Sequence, residues 1–288
     1  MTTMVILGAG QFGRAAVSLL NTSFQRLVAF GDNSPQLQGT RISSPLADIP
    51  VLSVEEAVSL NPDTILIGVT DEERSSQLKK QALTAGFHGS FLMLGKLYRF
   101  FDIRSATLHR IADRVRSQQL PGDVAELGVY RGDFAWQLNA CFPDRRLYLF
   151  DTFEGFDGRD TQKETASDFS RAQTGDFHDT SIEMVQARLP FPHQAVFKKG
   201  YFPETAVGME DCRFCLVSLD ADLYAPLLAG LTYFYPRLSP GGMIILHDYH
   251  NRRFRGAGQA VSDYEKAYGP LLLVPLCDLH GTAVILHP

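Results

Sequence analysis

Asp123-Val-Ala-Glu-Leu-Gly-Val-Tyr-Arg-Gly132 is the stretch that decides the fold of this chain. Its apolar start reaches an acid, Glu126, and then a turn with glycines at 128 and 132, and a helical pattern begins at Phe134. This order predicts a β-strand, a tight turn and a helix N-terminus. Glycines let a backbone pass close to a ligand, and the free N–H groups of such a turn face that ligand. We therefore expect a ligand-binding βα turn, in which Glu126 holds a hydroxyl or a positive charge.

The chain that follows predicts a doubly wound sheet around this turn. A second strand, Leu147–Phe150, ends at Asp151, about 25 residues after Glu126, where an acid grips a ribose diol in folds of this kind. The spacing Glu-x-Gly-x-x-x-Gly differs from a dinucleotide fingerprint and fits a loop that receives S-adenosylmethionine. The polar stretch from Thr152 to about Asp179 has little periodicity, which favours a lid. Further strands are expected at Ala195–Lys199, Phe214–Leu219 and Met243–Leu246, with an antiparallel edge hairpin from Leu271–Leu276 and Thr282–Leu286.

Acids and histidines collect where the strands end. Ligands in such sheets bind beyond the carboxyl ends of the strands, where the sequence places Glu126, Asp151, Asp220, Asp222, His247, Asp248 and His250. Asp220 and the His247-Asp248 pair end strands that are normally neighbours. A carboxylate pair suits a hard divalent cation, which would polarise an acceptor hydroxyl. Asp222 is expected instead to cap the helix that follows it.

The front third of the chain carries a second glycine motif. Gly8-Ala-Gly10-Gln-Phe-Gly13 follows a strand and opens a helix, and Asp32 lies 19 residues past the last glycine. This is the context of a nucleotide-binding fingerprint. With Asp32-Asn-Ser-Pro35 and Ile49-Pro-Val-Leu52, it resembles the small Rossmann-like domain at the front of some sugar-modifying acyltransferases. The resemblance implies nucleotide-sugar binding through Gly8, Gly10, Gly13 and Asp32, and a purely structural or docking role stays open beside it.

Length, charge and hydropathy limit the number of domains, the partners and the location that we expect. At 288 residues we expect two domains, 1–95 and 121–288, joined by a linker and helix at 96–120. The net charge of −5 gives no reason to expect nucleic acid as a partner. No apolar run reaches the ~18–20 residues of a membrane helix, and the N-terminus runs directly into a strand. We therefore expect no membrane partner and a cytoplasmic location.

Residues from about 121 look like the macrocin O-methyltransferase family, whose members methylate sugar hydroxyls on antibiotics. The matching motifs are Glu126-Leu-Gly-Val-Tyr-Arg-Gly132, Phe150-Asp-Thr-Phe-Glu-Gly-Phe156, Lys199-Gly-Tyr-Phe-Pro-Glu-Thr205, Leu219-Asp-Ala-Asp-Leu-Tyr224, Tyr235-Pro-Arg-Leu-Ser-Pro-Gly-Gly242 and His247-Asp-Tyr249. The resemblance implies a class I methyltransferase sheet, S-adenosylmethionine as cofactor and a homo-oligomer. It places the cofactor against Glu126, Gly128, Tyr130, Gly132, Asp151, Thr152 and Asp220. It also implies a divalent metal, magnesium or manganese, with Asp220 and Asp248 as ligands and Asp220 as the base.

One departure from the family pattern bears on the chemistry. Well-studied members end strand five with two acids, whereas this chain has His247 and then Asp248. Magnesium prefers oxygen ligands, so an imidazole as third ligand weakens a magnesium site or suits a softer ion such as manganese or zinc. Alternatively there is no metal, and His247 is the general base. The sequence leaves both open.

The sequence thus predicts an α/β protein of two doubly wound Rossmann-like domains, the second a class I methyltransferase sheet. The predicted function is S-adenosylmethionine-dependent O-methylation of a sugar or a glycosylated small molecule. One alternative is an NAD(P)-dependent oxidoreductase that uses the Gly8–Gly13 loop, which would leave Glu126, Asp151 and Asp220 without a role. The other is a non-catalytic binding protein of the same fold.

Overall fold

The computed structural model describes residues 2–43 and 48–288. The chain divides into two compact units, Met1–Asp102 with Cys277–Leu279, and Ile103–Leu276 with His280–Pro288. Within the described residues, no helix is long and apolar enough to cross a lipid bilayer.

The first unit is a six-stranded sheet with helices between its strands. Its elements are β1 (Thr2–Leu7), α1 (Gln11–Ala16), β2 (Gln25–Gly31), β3 (Arg41–Ser43), β4 (Asp48–Leu52), α2 (Val54–Ser59), β5 (Thr64–Ile67), α3 (Glu72–Thr84), β6 (Ser90–Met93) and α4 (Leu94–Phe100). The strand order is β3-β4-β2-β1-β5-β6, and β3 alone runs antiparallel to its neighbour. Local signals set several boundaries: Ser53 and Glu56 form a capping box at the start of α2. The sequence analysis did not predict β3 or α4, and α4 runs into the expected linker, 96–120.

The second unit is a seven-stranded sheet. Its elements are α5 (Ile103–Ser117), β7 (Asp123–Leu127), α6 (Asp133–Cys141), β8 (Leu147–Asp151), α7 (Gly158–Ala166), α8 (Ile182–Arg188), β9 (Ala195–Lys199), β10 (Phe214–Leu219), α9 (Tyr224–Phe234), β11 (Leu238–Leu246), α10 (Gly256–Tyr268), β12 (Leu272–Pro275) and β13 (Ala283–Leu286). The order is β12-β13-β11-β10-β7-β8-β9. Strands β7 to β11 are parallel, and β13 runs antiparallel to both β11 and β12. The predicted α/β class and the antiparallel edge hairpin are confirmed.

Apolar side chains cover both faces of this second sheet. All six residues of β10 are buried, as expected of a central parallel strand. On one face, Leu108 and Val115 of α5 pack with Val124 and Leu216; on the other, Phe234 of α9 joins a separate cluster. Each large side chain buried this way contributes roughly 1.5–3 kcal/mol. The two layers of helices fix the strand ends, and therefore the site, in place.

The segment after β8 is more ordered than the sequence predicted. The expected irregular lid contains helix α7, and the hydroxyl groups of Thr161 and Thr174 lie 2.9 Å apart. Phe156 and Phe177 pack edge to face at 5.1 Å between ring centroids. The segment 152–179 is therefore not irregular as expected, because polar residues that lack a helical apolar stripe bond to one another here. Its role as a lid stays a prediction.

Glu164 of α7 ties this segment to the sheet. Its side chain is buried at 1% exposure, and it accepts hydrogen bonds from the backbone N–H of Tyr224 at 2.7 Å and the hydroxyl of Ser170 at 2.7 Å. Glu164 therefore caps α9, for which the sequence predicted Asp222. That prediction was wrong: Leu223 is the residue before the helix, and Asp222 adopts a left-handed φ of 57°.

Candidate active site

The glycine turn after β7 lies against the end of β10. Gly128 has φ +87°, and a Cβ at this position would lie 2.2 Å from the carbonyl oxygen of Asp220. Only glycine fits this conformation and this backbone contact. Gly132, with φ +78°, begins helix α6. The turn is thereby pressed into the carboxyl edge of the sheet, beside Asp220.

Asp151 holds the same turn from the other side. Its Oδ2 accepts from the backbone N–H groups of Val129 at 2.7 Å and Tyr130 at 2.9 Å, and its Oδ1 accepts from the N–H of Phe153 at 2.7 Å. A carboxylate has about four lone-pair sites, so three are occupied by the backbone. Asp151 was predicted to grip a ribose diol with two hydrogen bonds. In the structure the Asp151 carboxylate also holds in place the two loops that follow β7 and β8.

Two other predicted cofactor residues bond within the loops. The Tyr130 hydroxyl donates to Asp179 at 2.7 Å, which draws the side chain toward the segment before α8. The Thr152 hydroxyl donates to the carbonyl of Gly155 at 2.6 Å. Their side chains shape the loops around the glycine turn, and a role for either in cofactor binding stays a prediction.

Glu126 lies on β7 beneath the turn, with 1% of its surface exposed. Burial raises the pKa of its carboxyl group well above the usual value, and the charge of Arg104 opposes that effect. Its Oε2 has no hydrogen-bond partner among the described residues. Buried polar atoms are nearly always partnered, so an orphaned oxygen at the carboxyl edge of a sheet indicates a ligand that donates to it.

Asp220, at the end of β10, lies between two cationic side chains. Its Oδ2 is 2.7 Å from Nη1 of Arg104, and its Oδ1 is 2.8 Å from Nδ1 of His247. The same Nδ1 is 3.0 Å from Oδ2 of Asp248. Arg104 also donates to the hydroxyl of Ser218 at 3.1 Å. Asp220, His247 and Asp248 thus lie together, as the sequence predicted. The group also contains Arg104, which the sequence analysis missed.

Ion pairing controls the protonation of this group. Burial favours the neutral form of Asp220, but the charges of Arg104 and His247 outweigh burial and hold the pKa of Asp220 below its usual range. Burial likewise works against a charged His247, yet the carboxylate of Asp220 raises the pKa of His247 to about 10. With no metal bound, the imidazole is therefore protonated and Asp220 is ionised at neutral pH, so His247 does not act as a base in that state.

Arg104 lies near the start of α5, in the segment 96–120 that the sequence analysis described only as a linker and helix. It precedes Leu108 by four residues and Ile111 by seven, so it lies on the apolar stripe of α5. Its guanidinium also stacks over the ring of Phe134 at 3.7 Å. A cation on the core face of an amphipathic helix is the signal that identifies such a residue, because a buried charge requires a partner.

Replacing Arg104 with glutamine is expected to lower the free energy of unfolding by about 3 kcal/mol, because Asp220 keeps a half-buried charge and loses its guanidinium partner. Urea unfolding followed by fluorescence measures this. Arg116→Gln on the same helix is the matched control: its pair with Asp113 is more than half exposed, and such pairs contribute less than about 1 kcal/mol. Equal losses from the two variants would show that the Arg104 pair is not important for folding.

Two groups of potential metal ligands meet at Asp248, which is 2% exposed. In the first group, Asp220, Asp222 and Asp248 bring one carboxylate oxygen each within 4.8 Å of the others. In the second, a carboxylate oxygen of Asp248 and one ring nitrogen each from His247 and His280 lie within the same distance. The donor types fit a divalent cation. Burial and the neighbouring carboxylate of Asp248 raise the pKa of Asp222 well above its usual value. His280 was not found from the sequence, since it lies in the hairpin loop before β13.

The N-terminal glycine loop is closed by its own residues. Oδ2 of Asp32 accepts from the N–H of Ala9 at 2.7 Å and Oδ1 from the N–H of Ser34 at 2.8 Å. A Cβ on Gly13 would lie 1.9 Å from the carbonyl oxygen of Gly8, so these glycines are needed for packing, whereas Gly10 has open space around it. Asp32 thus bonds to the loop as Asp151 does in the second unit. A nucleotide-binding role for Gly8, Gly10, Gly13 and Asp32 stays a prediction.

The strand order and the site define a class of protein. A parallel sheet that ends in an antiparallel hairpin, with a glycine turn after its central strand and acids at its carboxyl edge, is the fold of class I S-adenosylmethionine-dependent methyltransferases. The O-methyltransferase NovP has this fold: its solved structure superposes with a TM-score of 0.51 at 22% identity, covering 64% of this chain and 79% of that chain.

The chain belongs to the macrocin O-methyltransferase (TylF) family, whose model matches residues 91–286. It is 30% identical over 194 residues to the 8-demethyl-8-(2,3-dimethoxy-alpha-L-rhamnosyl)-tetracenomycin-C 4'-O-methyltransferase of Streptomyces olivaceus, covering 63% of this chain and 71% of the relative. It is 32% identical over 162 residues to the mycinamicin III 3''-O-methyltransferase of Micromonospora griseorubida, covering 52% of this chain and 63% of the relative. The protein is an S-adenosylmethionine-dependent methyltransferase, which confirms the predicted family and enzyme class. The oxidoreductase alternative is therefore set aside.

Proposed function

We propose that this enzyme transfers the methyl group of S-adenosylmethionine to a hydroxyl of a sugar, or of a small molecule that carries one, and that Asp220 receives the hydroxyl proton. The observation that carries the proposal is the position of Asp220. Its carboxylate is held by Arg104 and His247, and its backbone touches the glycine turn at Gly128. The residue therefore stands where cofactor and acceptor would meet.

Two curated relatives support the acceptor class. By their names, one acts at the 4'-oxygen of a rhamnosyl-bearing tetracenomycin and the other at the 3''-oxygen of mycinamicin III. Both names describe an O-methyltransferase, and the first names a rhamnosyl sugar. For this protein we propose the same class of acceptor, a small molecule that carries a sugar, and no particular compound.

The cofactor would lie over the glycine turn. Glu126 offers the unpartnered Oε2 to a hydroxyl or amino group of S-adenosylmethionine, and Gly128 and Gly132 leave the backbone open to close approach. Tyr130, Asp151 and Thr152 hold the loops in shape, with Asp151 keeping one lone-pair site for a ribose hydroxyl.

The transfer needs little acid–base power once the atoms are aligned. The acceptor oxygen attacks the methyl carbon, the carbon–sulfur bond breaks, and its electron pair remains on sulfur, giving neutral S-adenosylhomocysteine. The hydroxyl proton becomes strongly acidic as the new bond forms, so the weakly basic carboxylate of Asp220 is sufficient to take it. Arg104 and the imidazole of His247, whose Nδ1 is 2.8 Å from Oδ1, keep that carboxylate ionised and oriented.

A divalent metal ion fits the donor groups around Asp248, and when bound it would polarise the acceptor hydroxyl. Asp220, His247 and Asp248 are the residues predicted to hold it. The N-terminal unit is proposed to bind part of the substrate or to form oligomer contacts. A cytoplasmic location and a homo-oligomeric state stay predictions from the sequence.

Transfer of a radiolabelled methyl group tests the function. Purified protein is incubated with methyl-labelled S-adenosylmethionine and pairs of small molecules that differ only in the presence of a deoxysugar. We expect label in the glycosylated member of a pair and on its sugar oxygen by mass spectrometry. Label on the sugar-free members, or on nitrogen, would contradict the proposed acceptor.

A further inference from the structure

The carboxyl end of β11 and the hairpin loop before β13 bring two histidines and an acid together. His247, Asp248 and His280 place one potential ligand atom each within 4.8 Å of the other two. We propose that these three residues bind a divalent transition-metal ion, with zinc and manganese preferred over magnesium, and that His280 is a ligand. The proposal deepens the proposed function, on which it rests for the role of the metal, but metal binding can be measured without methyl transfer.

The backbone, rather than side-chain flexibility, sets the position of His280. Strands β11 and β13 are antiparallel with Leu246 opposite Ala283, so the residue after β11 and the loop before β13 share one end of the sheet. The N–H of His250 donates to the carbonyl of Gly281 at 3.0 Å. A Cβ on Gly281 would lie 2.9 Å from the nitrogen of His250, which shows how closely the two loops pack.

The imidazole rings of His247 and His280 lie close together. Their centroids are 5.1 Å apart with the ring planes 32° from parallel. Asp248 is buried beneath them, while both histidines are partly exposed. A metal ion held by these three side chains would keep coordination positions free for water or a substrate oxygen, as in catalytic metal sites.

The donor chemistry decides which metal is favoured. Imidazole nitrogen suits zinc and other late first-row ions, with manganese at the weak end of that series, whereas magnesium requires oxygen ligands in near-ideal octahedral geometry. Two imidazoles and one carboxylate therefore select against magnesium. This preference follows from the histidine that stands in place of the first acid of the family pattern, together with His280, which lies outside the motifs quoted above.

The neighbouring three-acid group is the weaker candidate for a metal. A cation among Asp220, Asp222 and Asp248 would share Asp220 with Arg104, whose guanidinium is already 2.7 Å from its Oδ2. Arginine stays charged at any working pH, so it would repel a divalent ion at that place. A metal held by His247, Asp248 and His280 does not need Asp220, which stays available to the acceptor.

Metal titration of the full-length protein tests this inference. EDTA-treated protein under reducing conditions is titrated calorimetrically with zinc, manganese and magnesium chloride, and with cobalt followed by visible absorption. We expect one zinc ion per chain at micromolar affinity and magnesium weaker by at least about 100-fold. His280→Ala should weaken zinc binding by at least about 10-fold, since even loss of a residue that only supports a ligand has effects of this size. His280→Gln, which keeps the side-chain volume, should do the same while S-adenosylhomocysteine binding shows that both variants are folded.

Two variants control for adventitious binding. His193→Ala removes an exposed histidine, and Cys277→Ser removes an exposed free cysteine; both should keep wild-type zinc affinity. Zinc binding that is absent, that survives both His280 substitutions, or that is matched by magnesium would overturn the inference. Wild-type protein that binds S-adenosylhomocysteine but no metal refutes this inference alone, whereas zinc binding through His280 without any cofactor binding refutes only the proposed function.

Discussion

The Gly128→Ala variant is expected to bind S-adenosylhomocysteine at least about 100-fold more weakly, or roughly 2.8 kcal/mol at 1.4 kcal/mol per tenfold change. The added Cβ would lie 2.2 Å from the carbonyl oxygen of Asp220, and that oxygen belongs to the backbone of a buried strand end. Relief requires the glycine turn to move away from β10. The backbone of the turn and the carboxyl group of Glu126 can then no longer contact one ligand at the same time.

Gly175→Ala is the matched control for this variant. Gly175 has φ +83°, close to that of Gly128, but a Cβ there would meet nothing within 4 Å. It therefore carries the same left-handed strain, of order 1–2 kcal/mol, without the steric conflict. Calorimetric titration of both variants should show a loss for Gly128→Ala alone. Equal affinities would mean that the contact between turn and strand does not shape the cofactor site.

The second large effect is expected from Asp220→Asn, which should lower kcat by about 100-fold to 10,000-fold, the range typical of a lost acid–base group. The substitution keeps the shape of the side chain and removes the negative charge between Arg104 and His247. The acceptor proton then has no carboxylate to receive it. Initial rates at saturating cofactor and acceptor measure the effect, and S-adenosylhomocysteine affinity shows whether the fold is kept.

Asp113→Asn provides the comparison, since Asp113 is an exposed acid on α5. Its rate should equal that of the wild type. A kcat for Asp220→Asn within about threefold of wild type would rule out Asp220 as the proton acceptor, because general base catalysis contributes far more than that.

The sheet of the second unit was predictable because its signals are local and repeated. Strands such as Phe214–Leu219 are continuous apolar runs, and each is followed by turn residues and a helix. Once the strands are parallel and adjacent, their carboxyl ends meet, which is why Asp220 and His247 were expected together. The glycines at 128 and 132 marked the turn for the same reason, since few other residues tolerate a left-handed backbone.

The missed features depend on residues far apart in the chain. Arg104 meets Asp220 across 116 positions, and Glu164 caps Tyr224 across 60. Asp222 looked like a helix cap because it stands just before α9, but the cap comes from another helix and leaves Asp222 to face Asp248. His280 gave no signal because its neighbourhood is created by the pairing of β11 with β13. Such partners follow from tertiary packing, which no local spacing encodes.

Calorimetric titration of S-adenosylhomocysteine into the purified full-length chain tests the central claim most directly, with Glu126→Gln measured in parallel. We predict one binding site per chain at micromolar affinity. The variant should bind at least about tenfold more weakly, because the ionisable carboxyl group that accepts a hydrogen bond from the ligand becomes a neutral amide. Absence of binding by the wild type, with and without added zinc, manganese or magnesium, would contradict the assignment of the second unit as the cofactor-binding, methyl-transferring part of this protein.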